Sequence, residues 1–408
     1  MKYARIIYGN NRKQLQARQF VNLGDYYQTF AIDHIYEQMG VPREEIVSIK
    51  KNDLTTYDGE EVILPMEGWF GMIVGAQIYP LSPKIRPVYI GYNCVTDLFY
   101  RKEMLETYRR FAPVGCRDEA TYERMVKKGI DAYLSGCLTI TLPGRDESEA
   151  ARKRRTKIFL VDVPERIKEY LPEEYRGRTV ELTQEMPIRT QEPDERELPR
   201  LERISRERLE RYRDEAALVV TSRLHCGSPC LGMGIPVIMV RDYFDDRYAW
   251  LDKYVRLYTP DRFGEIDWHP TVPESVEEIK PLLTELAVRE LRRAMKEASA
   301  GQRQSVSGGY AEESAGERRR SEETGEAECG DKSEDVPSPE GMPLPQLRSQ
   351  VHGWYVNRTR EKITNPLQMT AFLWLHERCP KLADFVREVL LSRFSVATGR
   401  GSSDNAQE

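Results

Sequence analysis

Short apolar runs alternate with amphipathic stretches over the first 300 residues. Tyr3 to Tyr8 reads as a strand, and Tyr27, Phe30, Ala31, His34, Ile35 and Met39 then share one face of a helix that Gly40 ends. Val47–Ile49, Val62–Leu64, Met72–Val74 and Val88–Tyr92 are further short strands. Asp118 offers an N-cap, Tyr122, Met125 and Val126 a helical stripe and Gly129 a stop, before Tyr133 to Leu142 returns as strand. After Lys157–Val161, Leu201, Ile204, Leu209, Tyr212 and Ala216 fall on one helical face. Ala217–Thr221, a helix over Pro229–Met233 ended by Gly234, and Pro236–Val240 then make a compact β-α-β unit. The pattern predicts an α/β fold of two Rossmann-like domains, residues 1–145 and 156–300, facing a cleft, with no internal repeat.

Two polar stretches interrupt the alternation. Gly144 to Lys157, with Arg152, Lys153, Arg154 and Arg155, reads as the connection between domains. Residues 301–346 are rich in Gly, Ser, Glu, Arg and Pro and hold too few large apolar side chains to offset the entropy of ordering, which predicts a disordered linker. Beyond it, residues 347–395 are expected to be a helical segment that packs on the body or on a partner. Its apolar stripe is Leu382, Phe385, Val386, Val389 and Leu390.

Composition narrows the function classes. With 61 Lys and Arg against 66 Asp and Glu, the chain of 408 residues carries a net charge of -5, the wrong sign for bulk nucleic-acid binding. No apolar run is long enough to span a bilayer and the start lacks a signal-peptide core, so a cytoplasmic location is expected. The seven cysteines are scattered and read as reduced thiols. Cys226 and Cys230, beside His225, have poor zinc spacing and suit a packed turn; no metal site is expected. No Walker loop, Gly-x-Gly-x-x-Gly after a strand, or clustered Asp pair is present.

The stretch Val219 to Pro229 carries the most chemistry. A strand ends at Thr221, a turn presents Ser222, Arg223 and His225, and a helix is expected to begin near Ser228. This is the carboxyl edge of a parallel sheet beside a helix N-terminus, where anionic ligands bind. Arg223 adds a charged fork for carboxylate or phosphate, and His225 a proton that exchanges near neutrality.

With Gly234, Ile235, Pro236, Val237 and Ile238 behind it, this segment resembles the signature of the polysaccharide pyruvyl transferase family. Three more segments resemble that family in the same order: Asn22, Gly24 and Asp25 with Gln28 and Ala31; Val114 to Ala120, containing Arg117 and Asp118; and Ser135 to Thr139, containing Gly136 and Cys137. The resemblance covers about residues 20 to 270; the polar stretch Asn11–Arg18 and everything after Gly301 depart from it.

It implies a fold similar to GT-B glycosyltransferases and transfer of a pyruvyl group from phosphoenolpyruvate, the donor substrate, to a sugar of a glycan or its precursor as a ketal, with no separate cofactor. His225, as imidazolium, would then be a general acid. Arg223, Ser222 and Ser228 would bind the donor with the helix N-terminus. Arg117 is either a second anion contact or an exposed charge at a helix start. Asp25 either orients an acceptor hydroxyl or caps its helix. Arg241 and Tyr243, in the loop to Arg247, either hold a sugar or pack between domains. The acceptor would be a sugar or a lipid-linked or nucleotide-linked glycan, the lipid-linked form allowing peripheral membrane contact. Competing readings are a glycosyltransferase using a nucleotide-sugar donor and a catalytically idle carbohydrate-binding or assembly protein.

Overall fold

A computed structural model of the chain describes residues 1–8, 20–70, 79–94, 100–189, 194–307 and 339–357. The first half builds β1 (Lys2–Ile7), β2 (Phe20–Asn22), α1 (Leu23–Met39), β3 (Ile46–Lys50), β4 (Val62–Trp69), β5 (Ile85–Asn93), α2 (Lys102–Arg110), β6 (Val114–Cys116), α3 (Glu119–Lys127) and β7 (Ala132–Leu134). Six of these strands form one parallel sheet in the order β3-β1-β4-β5-β6-β7. Helix α1 starts where the Asn22 side chain accepts the Gly24 N–H at 3.1 Å and ends at Gly40, whose φ of 71° closes the last turn. The predicted strand Tyr133–Leu142 is broken: Gly136 takes φ 62°, and Leu138–Thr141 winds into a 3₁₀ turn instead. Met72–Val74 lies outside the described residues.

The second half adds α4 (Glu149–Arg154), β8 (Lys157–Val161), α5 (Glu173–Arg176), β9 (Thr179–Leu182), β10 (Glu185–Pro187), α6 (Asp194–Glu215), β11 (Ala216–Thr221), α7 (Leu224–Gly232), β12 (Val237–Val240) and β13 (Leu257–Tyr258). The order β13-β12-β11-β8-β9 makes a second parallel sheet, so the chain is an α/β protein with two parallel sheets and flanking helices. Strands β8 and β11 are buried on both faces, which is why they read as unbroken apolar runs. The polar stretch at 144–157 contains α4, whose first turn Ser148 caps.

Two long-range features correct the expected partition. Helix α8 (Glu274–Ser307) follows the second sheet in sequence but also packs against α1, β4 and β5 of the first half, and its Glu297 pairs with Arg86 at 2.6 Å. Residues 156–300 are therefore not one packing unit. The expected linker is folded at both ends: α8 continues through Ser307, and Pro339–Gly341 leads by a 3₁₀ turn into α9 (Leu344–Asn357). Leu347, Val351 and Tyr355, four residues apart, bury one face of α9. Arg348 pairs with Glu290 of α8, and His352 Nδ1 accepts the Leu134 N–H at 3.0 Å. Residues 308–338 and the Leu382–Leu390 stripe lie outside the described residues.

The two halves also join directly. Strand β2 pairs antiparallel with β10, Asn22 opposite Glu185, and one apolar cluster runs from Ala4 and Ile6 through α1 to Phe159, Val161 and Val219. A separate cluster, with Ile158, Leu160, Leu218 and Val220, lies on the far face of the second sheet. Among the described residues, no helix is long and apolar enough to cross a membrane.

Candidate functional site

In each sheet the strand order reverses once, between β1 and β4 and between β8 and β11, and ligand sites in open α/β sheets lie outside the carboxyl ends at such reversals. At those ends the first sheet presents Lys51, Glu67, Arg117 and Cys137, and the second presents Asp162, Arg223, His225 and Arg247. The Asn22–Gly24–Asp25 turn sits between them. A Cβ on Gly24 would stand 2.9 Å from the Cβ of His225 and 2.9 Å from Gln184 Oε1, so glycine is what lets α1 start against the signature loop.

Around Arg223 the charges are paired. Its Nε donates to Asp162 Oδ2 and its Nη2 to Glu185 Oε1, both at 2.8 Å. Asp162 sits at the end of β8 with φ 50°, the one non-glycine residue with positive φ among the described residues, and its carboxylate also accepts the Gln184 N–H at 2.9 Å. The expected free fork on Arg223 is thus already held by two carboxylates. Ser222 donates its hydroxyl to the Asp162 carbonyl at 2.5 Å. Helix α7 is kinked at His225 (φ -84°, ψ 29°), so its regular part starts just after that residue, and Ser228 is fully buried, 2.6 Å from the Thr139 hydroxyl. The Ser228 hydroxyl is therefore engaged with Thr139 and not open to the cleft.

Around His225 the charges are not paired. Its Nε2 lies 3.5 Å from Arg117 Nη1 and 3.8 Å from Cys137 Sγ. An arginine only donates, so Nε2 carries the lone pair. Burial, with the positive charges of Arg117, Arg247 and Lys51, pushes the imidazole well below its ordinary range. His225 is therefore neutral here and not the imidazolium expected from sequence.

Arg117 is 1 % exposed, so it is not an exposed helix-start charge. Its Nε has no hydrogen-bond partner and no carboxylate pairs with it among the described residues, because Asp118 next to it is turned to Thr121 and Asn93. Lys51 is also buried, donates to the Trp69 carbonyl and lies 4.8 Å from the centre of the Phe70 ring; burial lowers it to about 8. Glu67, 3 % exposed, accepts the Leu138 N–H at 2.7 Å, and burial raises it to about 8. Arg247 chelates Asp245 through two bonds of 2.8 and 2.7 Å and lies over the Trp69 ring of the first half.

Asp25 does not cap α1, since Asn22 does; it lies in the first turn and acts on Lys51 through space. Arg241 stacks on Tyr243 and Tyr248, and Tyr248 donates to the Ser222 carbonyl at 2.9 Å, which ties this loop to the signature turn. Tyr243 is 51 % exposed, whereas Trp250 and Tyr254 are core residues. Cys226 and Cys230 are buried thiols, in keeping with the packed-turn reading. Lys51, Glu67, Asp162 and Gln184 were absent from the sequence reading. Glu67 alone left a signal there, a single acid inside the apolar run Val62–Trp69.

The sequence model of the family described as polysaccharide pyruvyl transferase matches residues 22–242, more than half of the chain. The chain belongs to the polysaccharide pyruvyl transferase family. The family match takes in Asn22, Lys51, Glu67, Arg117, Cys137 and His225, and leaves Arg247, α8 and α9 outside. No curated protein matches the chain. Among solved structures, it is similar to an uncharacterized protein from Klebsiella pneumoniae, with 15% identity over 60% of this chain and 87% of that one and a TM-score of 0.32. It is also similar to MnaA of S. aureus, solved with UDP, with 11% identity over 65% of this chain and 87% of that one and a TM-score of 0.33.

Proposed function

We propose that this pyruvyl transferase family member moves a pyruvyl group from phosphoenolpyruvate to a sugar of a glycan or glycan precursor, closing a ketal in a GT-B-like cleft between the two sheets' carboxyl edges. The observation that carries the reading is Arg117, a guanidinium buried beside neutral His225 and buried Lys51, with no carboxylate in ion-pair contact among the described residues. A buried cation without a direct ion pair is unfavourable unless an anion completes it, and the donor brings both a carboxylate and a phosphate. Arg117 supplies the planar fork, Lys51 a point charge, and Arg247 a third positive charge held in place by Asp245. Arg223 acts one layer back, fixing the turn that carries His225 through Asp162 and Glu185. His225 exchanges the proton that addition to the enol requires. The acceptor is a lipid-linked or nucleotide-linked sugar in this reading, with Asp25 and the Arg241–Tyr243 loop on its side of the cleft.

The test is release of phosphate from phosphoenolpyruvate by the full chain across a panel of lipid-linked and nucleotide-linked sugars, with pyruvylated product identified by mass. Product formation that stops when His225 is replaced by Asn, by about 10²-fold or more, supports the reading. Binding of a nucleotide sugar with no binding of phosphoenolpyruvate would overturn it.

A further inference from the structure

When environment pushes the proton affinities of two neighbouring groups apart, the pair reveals which is acid and which is base. In the site above that pair is Glu67 and His225, and the Cys137 thiol stands between them, 3.3 Å from Glu67 Oε1 and 3.8 Å from His225 Nε2. Glu67 points from β4 into a fully enclosed place. Its Oε1 is occupied by the Leu138 N–H and the thiol, while its Oε2 is buried with no hydrogen-bond partner among the described residues. A bare carboxylate there is costly; a proton on the carboxyl removes the charge, and on Oε1 it faces the thiol sulfur. His225 Nε2 faces Arg117, which can only donate, so that nitrogen offers a lone pair.

We propose that Glu67 and Cys137 form the acid arm of the pyruvyl transfer and His225 its base, Glu67 acting as a positioning residue that restores the proton Cys137 gives up. The assignment rests on the pyruvyl-transfer reading and reverses the acid role first expected for His225. The acceptor hydroxyl gives its proton to His225 Nε2 as its oxygen bonds to C2 of the donor. The C2=C3 electron pair takes the thiol proton of Cys137, and the Glu67 carboxyl proton replaces it. Phosphate then leaves with the C2–O electrons and takes the proton from His225. The second hydroxyl closes the ketal and gives its proton to His225, which passes it through the Cys137 thiol back to Glu67. Two hydroxyl protons are thus lost, one ending in the methyl group and one on phosphate.

The groups facing Glu67 are Tyr8 from the end of β1, Arg117 after β6 and Cys137 after β7; burial sustains its proton up to about 8, against hydrogen bonds from Cys137, Leu138 and Thr139 and the pull of Arg117. Those facing His225 are Arg117, Cys137, Lys51 and Arg247. The kcat/KM profile of the full chain should therefore fall on the alkaline side near 8, where Glu67 loses its proton, and on the acid side, where His225 gains one. Glu67→Gln keeps the accepting oxygen and removes the proton, so kcat should drop by about 10²-fold or more and the alkaline limb should vanish. Cys137→Ala should lower kcat comparably. Lys51 titrates in the same range, and Lys51→Arg should leave the limb in place. A Glu67→Gln enzyme that keeps the wild-type alkaline limb overturns the assignment.

If the wild type forms no pyruvylated product with any acceptor, the pyruvyl-transfer reading fails separately. The acid is then decided by infrared spectroscopy on the unliganded protein, which also covers a Glu67→Gln chain that does not fold. The carbonyl stretch of a protonated carboxyl should be present at neutral pH in wild type and Cys137→Ala, and fade through about 8. Its absence at neutral pH overturns the proposal.

Discussion

At the edge of the five-stranded sheet each half-buried cation has its carboxylate: Arg223 holds Asp162 and Glu185, and Arg247 holds Asp245. At the edge of the six-stranded sheet, Arg117 and Lys51 form no ion pair among the described residues, and Glu67 keeps its proton instead of neutralising them. A paired ion belongs to the folded frame, and removing one partner strands the other. An unpaired one is destabilising by itself, so its presence points to a ligand that completes it. The two edges thus divide the work, one holding geometry and the other holding cations without a direct ion pair.

Arg117 and Arg223 are the sharpest way to break that comparison. Arg117→Met should weaken phosphoenolpyruvate binding by about 100-fold, roughly 3 kcal/mol, while thermal stability stays level or rises because the stranded charge is gone. Arg223→Met should do the reverse, lowering stability by about 1–3 kcal/mol because Asp162 and Glu185 are left without their counter-charge, and changing donor affinity less. Calorimetric titration with phosphoenolpyruvate and thermal melts of both variants decide the matter; equal losses of melting temperature would erase the distinction.

Gly24→Ala tests whether the two edges are held in register. The new methyl would lie 2.9 Å from His225 Cβ and 3.0 Å from its carbonyl oxygen, closer than van der Waals contact. A loss of about 1–2 kcal/mol in denaturant unfolding is expected, together with reduced turnover. An alanine variant with wild-type kinetics would show that the register is not needed. The smallest effect belongs to Tyr355, whose hydroxyl bonds to that of Tyr254 at 2.9 Å and packs on Gly136 next to Cys137. Tyr355→Phe should cost about 1 kcal/mol, and adding Tyr254→Phe should cost less than the sum of the two single changes, as a double-mutant cycle would show.

Much of the frame was legible from the chain because it rests on local rules. Apolar periodicity marks β1, β3, β5, α1 and β11, and a turn bearing Arg223 and His225 after a parallel strand marks an edge site. Pairing was not legible. Whether Arg223 meets a carboxylate depends on Asp162, 61 residues earlier, and whether Arg117 meets one depends on Asp118 turning to cap α3. Lys50 and Lys51 are neighbours in sequence, yet Lys50 bridges Asp53 and Asp194 while Lys51 is enclosed. Helix α8 reads as a continuation of the second half because sequence order carries no information about which sheet a long helix will cover. The lone acid in Val62–Trp69 was visible and passed over, since a strand pattern is judged by its apolar majority.

The apolar cluster that passes through α1 into both sheets bears on how this protein comes apart. Helix α1 buries Tyr26, Tyr27, Phe30 and Ile35 in that cluster and touches α6, α7 and α8 as well as β1 and β4. Neither half retains a closed interior without the other, so melting is expected as one cooperative event and not as two separable transitions. A chain cut between the sheets would leave the aromatic face of α1 open to water, and its two fragments would recover shape only by finding each other again.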